Sequence, residues 1–216
     1  MKLATHSYYV RPMTLADIPQ VMDIERESFP TMWPQTAYRR ELQENRLARY
    51  LVAVEEGAEA PPPPPEGSLS RLISGVRRAI SGEEEPEPTR EHLVGFLGIW
   101  FMVEEAHVVT IAVRASHRQR GIGELLLIRA LELAAERGEA TVTLEVRISN
   151  EPAQRLYEKY GFQRVGIRPR YYSDNQEDAV IMTTGRLDSQ AYRALFQQRL
   201  QEYAARYGYE RLHPVR

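Results

Sequence analysis

The chain has 216 residues, 43% of them hydrophobic, which is enough for one sizeable α/β domain with additions and a real core, but cramped for two domains. A formal net charge of −2 gives no overall basic field of the kind that nucleic-acid binding uses. There is no cysteine, so disulfides, a thiolate nucleophile and Cys-ligated zinc are excluded; the five histidines form no His-x-x-x-His pair, and no metal is expected.

The N-terminus lacks the charged-then-apolar pattern of a secretory signal, and no stretch reaches the roughly 18 apolar residues of a spanning helix. A cytoplasmic location is therefore expected. Ser7–Met13 reads as a first strand. Thr14 can cap a helix carrying Ile18, Val21, Met22, Ile24, Glu25 and Phe29, which Phe29-Pro30 breaks. A second helix is predicted over Thr36–Arg46 and a strand over Tyr50–Val54.

Residues 56–91 change character. Five prolines, Pro61 to Pro65, and the run Glu83-Glu84-Glu85-Pro86-Glu87-Pro88 cannot support a packed core, and this insertion is expected to be disordered. Inside it Leu69, Leu72, Ile73, Val76 and Ile80 sit at helical spacing among Arg71, Arg77 and Arg78, a short basic amphipathic segment weakened by Gly75.

The pattern of a buried core returns with a strand over His92–Val103, a turn at Glu104-Glu105, and a strand that carries His107 and runs through Val108–Val113. Next come Arg118-Gln119-Arg120-Gly121-Ile122-Gly123 and a leucine-rich helix over Ile122–Ala135. Two glycines two apart allow a close turn, and the new helix leaves its first N–H groups unpaired. With the helix dipole and the two arginines, these make an anion site. Alone, this motif is weak.

Thr141–Arg147 alternates strictly, so Val142, Leu144 and Val146 face one way while Thr143, Glu145 and Arg147 face the other. A carboxylate thus projects from a strand interior. Asn150 suits the N-cap of a helix with Pro152 in its first turn and Ala153, Leu156, Tyr157 and Tyr160 on its apolar face; Gly161-Phe162 ends it. A strand to Ile167, a loop over Arg168–Asp174 and a strand over Ala179–Thr184 complete a mixed, mostly antiparallel sheet. Asp188 or Ser189 can cap a last helix with Tyr192, Leu195, Phe196, Leu200 and Tyr203 on one stripe, packing on its own domain or forming a dimer seam.

The order strand, R-x-x-G-x-G, helix, strand, N-x-x-A-x-x-x-Y-x-x-x-G-F resembles the GNAT family of acetyl-CoA-dependent N-acetyltransferases. The segments L-E-V-R-I-S-N (Leu144–Asn150), R-L-Y-E-K-Y-G-F (Arg155–Phe162), R-Y-Y (Arg170–Tyr172) and E-D-A-V-I-M (Glu177–Met182) are similar to its ribosomal-protein-alanine N-acetyltransferase branch. The resemblance implies an α/β GNAT fold, a central sheet flanked by helices. The GNAT domain would be 1–186 with the 56–91 insertion, followed by a helical extension at 187–216. It also implies acetyl-CoA as cosubstrate and a protein N-terminus as acceptor, with a ribosomal protein among the candidates. Neither nucleic acid nor a membrane span is expected, and the chain would be a monomer or weak dimer.

Acetyl transfer from a thioester to an amine needs a neutral amine, a stabilised oxyanion and a proton for the departing thiolate. By resemblance Glu145 is the general base and Tyr157 the general acid. The residues alone also allow an ion pair of Glu145 with Arg147 and plain packing of Tyr157. Ile111, Ala112 and Val113 would bind pantetheine through backbone groups, Arg118, Gln119, Arg120, Gly121, Ile122, Gly123 and Glu124 the pyrophosphate, and Asn150 would contact CoA. Phe29, Pro30, Tyr171 and Tyr172 would line the acceptor peptide, with Trp33 beside the first two and His107 as a secondary candidate. An α-amine titrates near about 8 and lysine near about 10.4, so a lone carboxylate base suits the α-amine better. A small-molecule amine or lysine side chain remains the second reading, and a non-catalytic acyl-CoA-binding module the third.

Overall fold

The computed structural model describes residues 7–61 and 87–208. The strands β1 (Tyr8–Pro12), β2 (Ala48–Glu59), β3 (Glu91–Phe101), β4 (Glu105–Val113), β5 (Thr141–Arg147), β6 (Phe162–Arg168) and β7 (Ala179–Thr184) form one sheet in the order β1-β2-β3-β4-β5-β7-β6. All neighbours are antiparallel except β4 and β5. The helices are α1 (Ile18–Ser28), α2 (Gln35–Gln43), α3 (Ile122–Glu136), α4 (Glu151–Lys159) and α5 (Gln190–Tyr207). This is the GNAT fold, with the mixed sheet that the sequence implies.

Alternation assigns the two faces. Leu51 and Ala53 of β2 join Val94, Leu97 and Ile99 of β3 in a core under α3, while Tyr50, Val52 and Val54 meet Val21 and Ile24 of α1 and Tyr38 of α2 on the other face. The central strands bury both faces, which is why β3 reads as an almost unbroken apolar run. Leu126 of α3 is completely buried; replacing such a leucine by alanine costs about 2–5 kcal/mol. Local chemistry sets the ends. Asp17 accepts the Thr14 backbone N–H at 2.7 Å, Ser189 Oγ accepts the Tyr192 N–H at 3.2 Å and caps α5, and Gly138 with φ +78° follows α3.

The site is created where the sheet splits. The parallel register of β4 and β5 runs only from Glu105↔Thr141 to Val108↔Leu144, although β4 continues to Val113 and β5 to Arg147. On the other edge of β4, Gly98 faces Thr110 and Ile99 faces Val108. Val109 is thus an extra residue, a bulge that bends the strand at the start of the split.

Some boundaries differ from expectation. The second helix stops at Gln43 rather than Arg46, because Asn45 Oδ1 takes the Leu47 N–H at 3.0 Å and turns the chain into β2. The β2 strand outruns Val54. It pairs Glu55 with His92 and, past a bulge containing Gly57 at φ +74°, Glu59 with Glu91. The expected disorder of 56–91 therefore fails at both described ends, where the Ala60 N–H reaches Arg90 O at 2.7 Å and the Thr89 N–H reaches Ala16 O at 3.1 Å. The amphipathic segment at 69–80 lies outside the described residues, as does the chain after 208.

Candidate active site

Glu145 projects from β5 into the split, with a side chain only 6% exposed. Its Oε2 lies 2.7 Å from His107 Nε2, and its Oε1 pairs with Arg168 Nε at 2.9 Å. The partner that alternation suggested, Arg147, is engaged elsewhere. It binds Asp174 at 2.8 Å, Asn175 at 3.0 Å and Glu177 at 3.1 Å, with its guanidinium 3.8 Å from the centre of the Tyr172 ring. Arg147 thereby ties the β6–β7 loop to β5 and fixes the tyrosine beside the cleft.

Opposite Glu145, Tyr157 enters from α4, where Asn150 Oδ1 accepts the Ala153 N–H at 3.3 Å and sets the helix start. Tyr157 is 5% exposed and packs on Phe162 with ring centres 5.7 Å apart. Burial pushes its phenol above the ordinary range, so the proton stays on at neutral pH. Packing and proton donation are compatible for this side chain.

His107, Ile111, Glu145, Asn150, Tyr157 and Arg168 line one cleft of about 540 Å³, closed on another side by Phe29, Tyr171 and Tyr172. Pro30 lines an adjoining cleft of about 340 Å³ together with Phe29, Trp33, Tyr171 and Tyr172. Tyr171 and Tyr172 meet edge to face at 5.2 Å. The segment Ile111–Val113 runs along the stretch of β4 beyond its register with β5, so backbone N–H and C=O groups are presented to the cleft side without a β5 ladder. The Ala112 side chain is buried on the α1 face.

The Arg118–Glu124 turn lies outside these two clefts. Gln119 and Gly121 have φ of +61° and +81°, and Gly121 is the N-cap of α3. A Cβ at Gly121 would lie 2.7 Å from the Tyr207 ring, whereas one at Gly123 would meet only Val113 Cγ2 at 3.7 Å. Space above Gly123 and unpaired N–H groups at the first turn of α3 suit a diphosphate. The Glu124 carboxylate is turned away to Lys159 and to the Tyr160 hydroxyl, the latter at 2.7 Å, so its backbone is what it can offer. Arg118 and Arg120 are exposed, and Arg120 reaches the Tyr8 hydroxyl at 3.2 Å.

Three features escaped the sequence reading. Arg168 arrives beside Glu145 from two strands away through β7, which no local pattern encodes. Glu25, read as part of a helical stripe, is 3% exposed, accepts the Trp33 N–H at 3.1 Å and leaves Oε2 buried without a partner at the edge of the second cleft; burial raises its pKa. Glu55, His92 and His117, far apart in sequence, come together in space.

Residues 77–162 match the model of the acetyltransferase (GNAT) family. A Bacillus subtilis (strain 168) protein provisionally named a ribosomal protein bS18-alanine N-acetyltransferase is 37% identical over 80% of this chain and 92% of its own. An N-alpha-acetyltransferase of Sulfurisphaera tokodaii is 32% identical over 81% of this chain and 91% of its own. The crystal structure of the Escherichia coli ribosomal-protein-S18-alanine N-acetyltransferase superposes with a TM-score of 0.61 at 23% identity, covering 82% of this chain and 93% of that one.

Proposed function

The chain belongs to the GNAT family of acetyl-CoA-dependent N-acetyltransferases, and from that premise we propose that it acetylates the N-terminal α-amine of a protein, with Glu145 as general base and Tyr157 as general acid. The observation that carries the reading is that a buried carboxylate and a buried, protonated phenol line one cleft at the point where β4 and β5 part.

Acetyl-CoA supplies an activated acyl group. The chain's own groups do the rest. Glu145 takes the proton of the amine, directly or through water, and His107 and Arg168 hold its carboxylate in the cleft. N–H groups of β4 beyond Val108 face the negative charge that develops on the carbonyl oxygen. Tyr157 gives its proton to the departing sulfur. Ile111–Val113 would hold pantetheine through backbone groups, and Arg118–Glu124 would hold the pyrophosphate, with Gly123 leaving room for it.

At the acceptor end Phe29, Pro30, Tyr171 and Tyr172 form the walls, with Trp33 beside them. Relatives named as acting on α-amines support a protein N-terminus over a small amine, and a ribosomal protein is the first acceptor to try. In our reading 1–186 is the catalytic domain and α5 an extension packed on it, since Tyr192 and Leu195 lie on Gly161 and Tyr207 on Gly121.

The test is labelled acetyl-CoA with a panel of N-terminal peptides, beside free lysine and polyamines. Label on the α-amine of peptides is the expected result. Transfer to lysine or polyamines alone would favour the small-amine reading, and no transfer at all the binding-module reading.

A further inference from the structure

None of Glu55, His92 and His117 lines either cleft. Glu55 on β2 stands across from His92 on β3, and His117 closes a short turn just before Arg118. We propose that these three side chains form a binding site for a zinc ion.

Their ligand atoms lie within 4.8 Å of one another. Glu55 Oε2 is 2.9 Å from His92 Nδ1 and 3.4 Å from His117 Nε2. Zinc bonds of about 2.0–2.2 Å in a tetrahedron set donors roughly 3.3–3.6 Å apart, so small side-chain rotations suffice. Two imidazoles and one carboxylate, with a fourth position for water, form a zinc donor set; magnesium and calcium prefer oxygen.

The surroundings favour metal over chance proximity. Ser116 Oγ lies 2.8 Å from His117 Nδ1, able to accept Nδ1–H and leave the Nε2 lone pair facing Glu55, as outer partners of zinc histidines do. The side chains of Glu55 and His117 are 9% and 10% exposed and that of His92 is 17% exposed. A bound ion would clip the β2–β3 pair to the loop that enters the Arg118 turn.

The metal-free, untagged full chain, titrated with zinc against a chromophoric chelator, should take up one equivalent and melt at a higher temperature as zinc is added. Cobalt in its place should give the ligand-field absorption of a four-coordinate site, a reading on unmutated protein that does not depend on acetyl transfer. The His92→Gln/His117→Gln double variant, with its fold checked by circular dichroism, should bind at least about tenfold more weakly, and His107→Gln should bind as the parent does. No stoichiometric uptake, a six-coordinate cobalt spectrum, or undiminished uptake by the double variant would overturn the proposal and leave only a hydrogen-bonded triad.

Discussion

His107 Nε2 lies 2.7 Å from Glu145 Oε2, at the last part of the β4–β5 ladder, where His107 faces Thr143. The carboxylate is thus oriented from β4, whose backbone beyond Val108 is proposed to face the thioester. Glu145→Gln keeps the shape and removes the proposed base, so kcat should fall about 100- to 10,000-fold with acetyl-CoA affinity unchanged. His107→Gln, which in our reading loosens the hold on that carboxylate, should cost less. Steady-state kinetics beside calorimetry separate the two effects, and equal kcat in Glu145→Gln and the parent would remove the assignment.

Tyr157 is buried and its phenol is held above the ordinary range by burial. It therefore keeps its proton throughout the neutral and mildly alkaline range. Tyr157→Phe retains the packing on Phe162 and removes only the hydroxyl, so the melting temperature should change little while kcat drops. A variant that melts much earlier but turns over normally would identify the residue as core alone.

The two glycines of the Arg118 turn should behave differently. Gly121→Val forces a side chain onto a backbone with φ +81° and against Tyr207, so it should destabilise the fold as well as weaken binding. At Gly123 the added Cβ meets only an ordinary contact with Val113, 3.7 Å away, so Gly123→Val tests the space itself. It should leave the melting temperature nearly unchanged and abolish micromolar acetyl-CoA binding by calorimetry. Unchanged affinity in Gly123→Val would move the pyrophosphate away from this turn.

Hydrogen bonds from Ser149, then Asn175 and Arg147, lower Glu177 from 4.5 to about 2. A carboxylate with a depressed folded pKa adds stability above its unfolded value, and that stability is lost as pH falls through the folded value. The stability difference between the parent and Glu177→Gln should therefore be full above pH 4.5 and shrink as pH falls toward about 2. Urea unfolding of both proteins across that range measures it; a difference independent of pH would contradict the linkage.

What the sequence made legible was local. The Asn150 cap, the Gly121 turn and the alternation of Thr141–Arg147 each depend on neighbours within a few residues, and each formed as read. Partnerships across strands did not show. Alternation allows an ion pair of Glu145 with Arg147, two residues away on the same face, but Arg147 is captured by the β6–β7 loop and Arg168 reaches Glu145 across β7. The Glu55–His92 contact spans 37 residues, and its proximity follows from a strand register that composition cannot supply. The described flanks of the proline-rich insertion depart from the expected disorder for the same reason. Their composition suggests loop, but pairing to a neighbouring strand overrides it.

That last point fixes where the insertion can be cut. Glu91 is held by Tyr9 and by Arg11, whose Nε donates at 2.8 Å, and Gln20 Nε2 donates to Glu91 O at 2.8 Å. With Ala60 bonded to Arg90, both ends of the β2–β3 connection are anchored and adjacent. Replacing 62–86 by a four-residue Gly-rich turn should close it without strain, because ordinary hairpin loops are that short and lengthening a surface loop costs only about 0.6 kcal/mol per doubling. A deeper cut into 55–60 or 87–91 should instead remove strand pairing and lower the melting temperature. In our reading the shortened chain keeps the parent's kcat/KM on a short peptide, while on a whole acceptor protein it loses whatever contact Leu69–Ile80 supplies. Measuring both substrates on both forms decides it: a fall on the short peptide would assign 62–86 to the active site, contrary to this expectation.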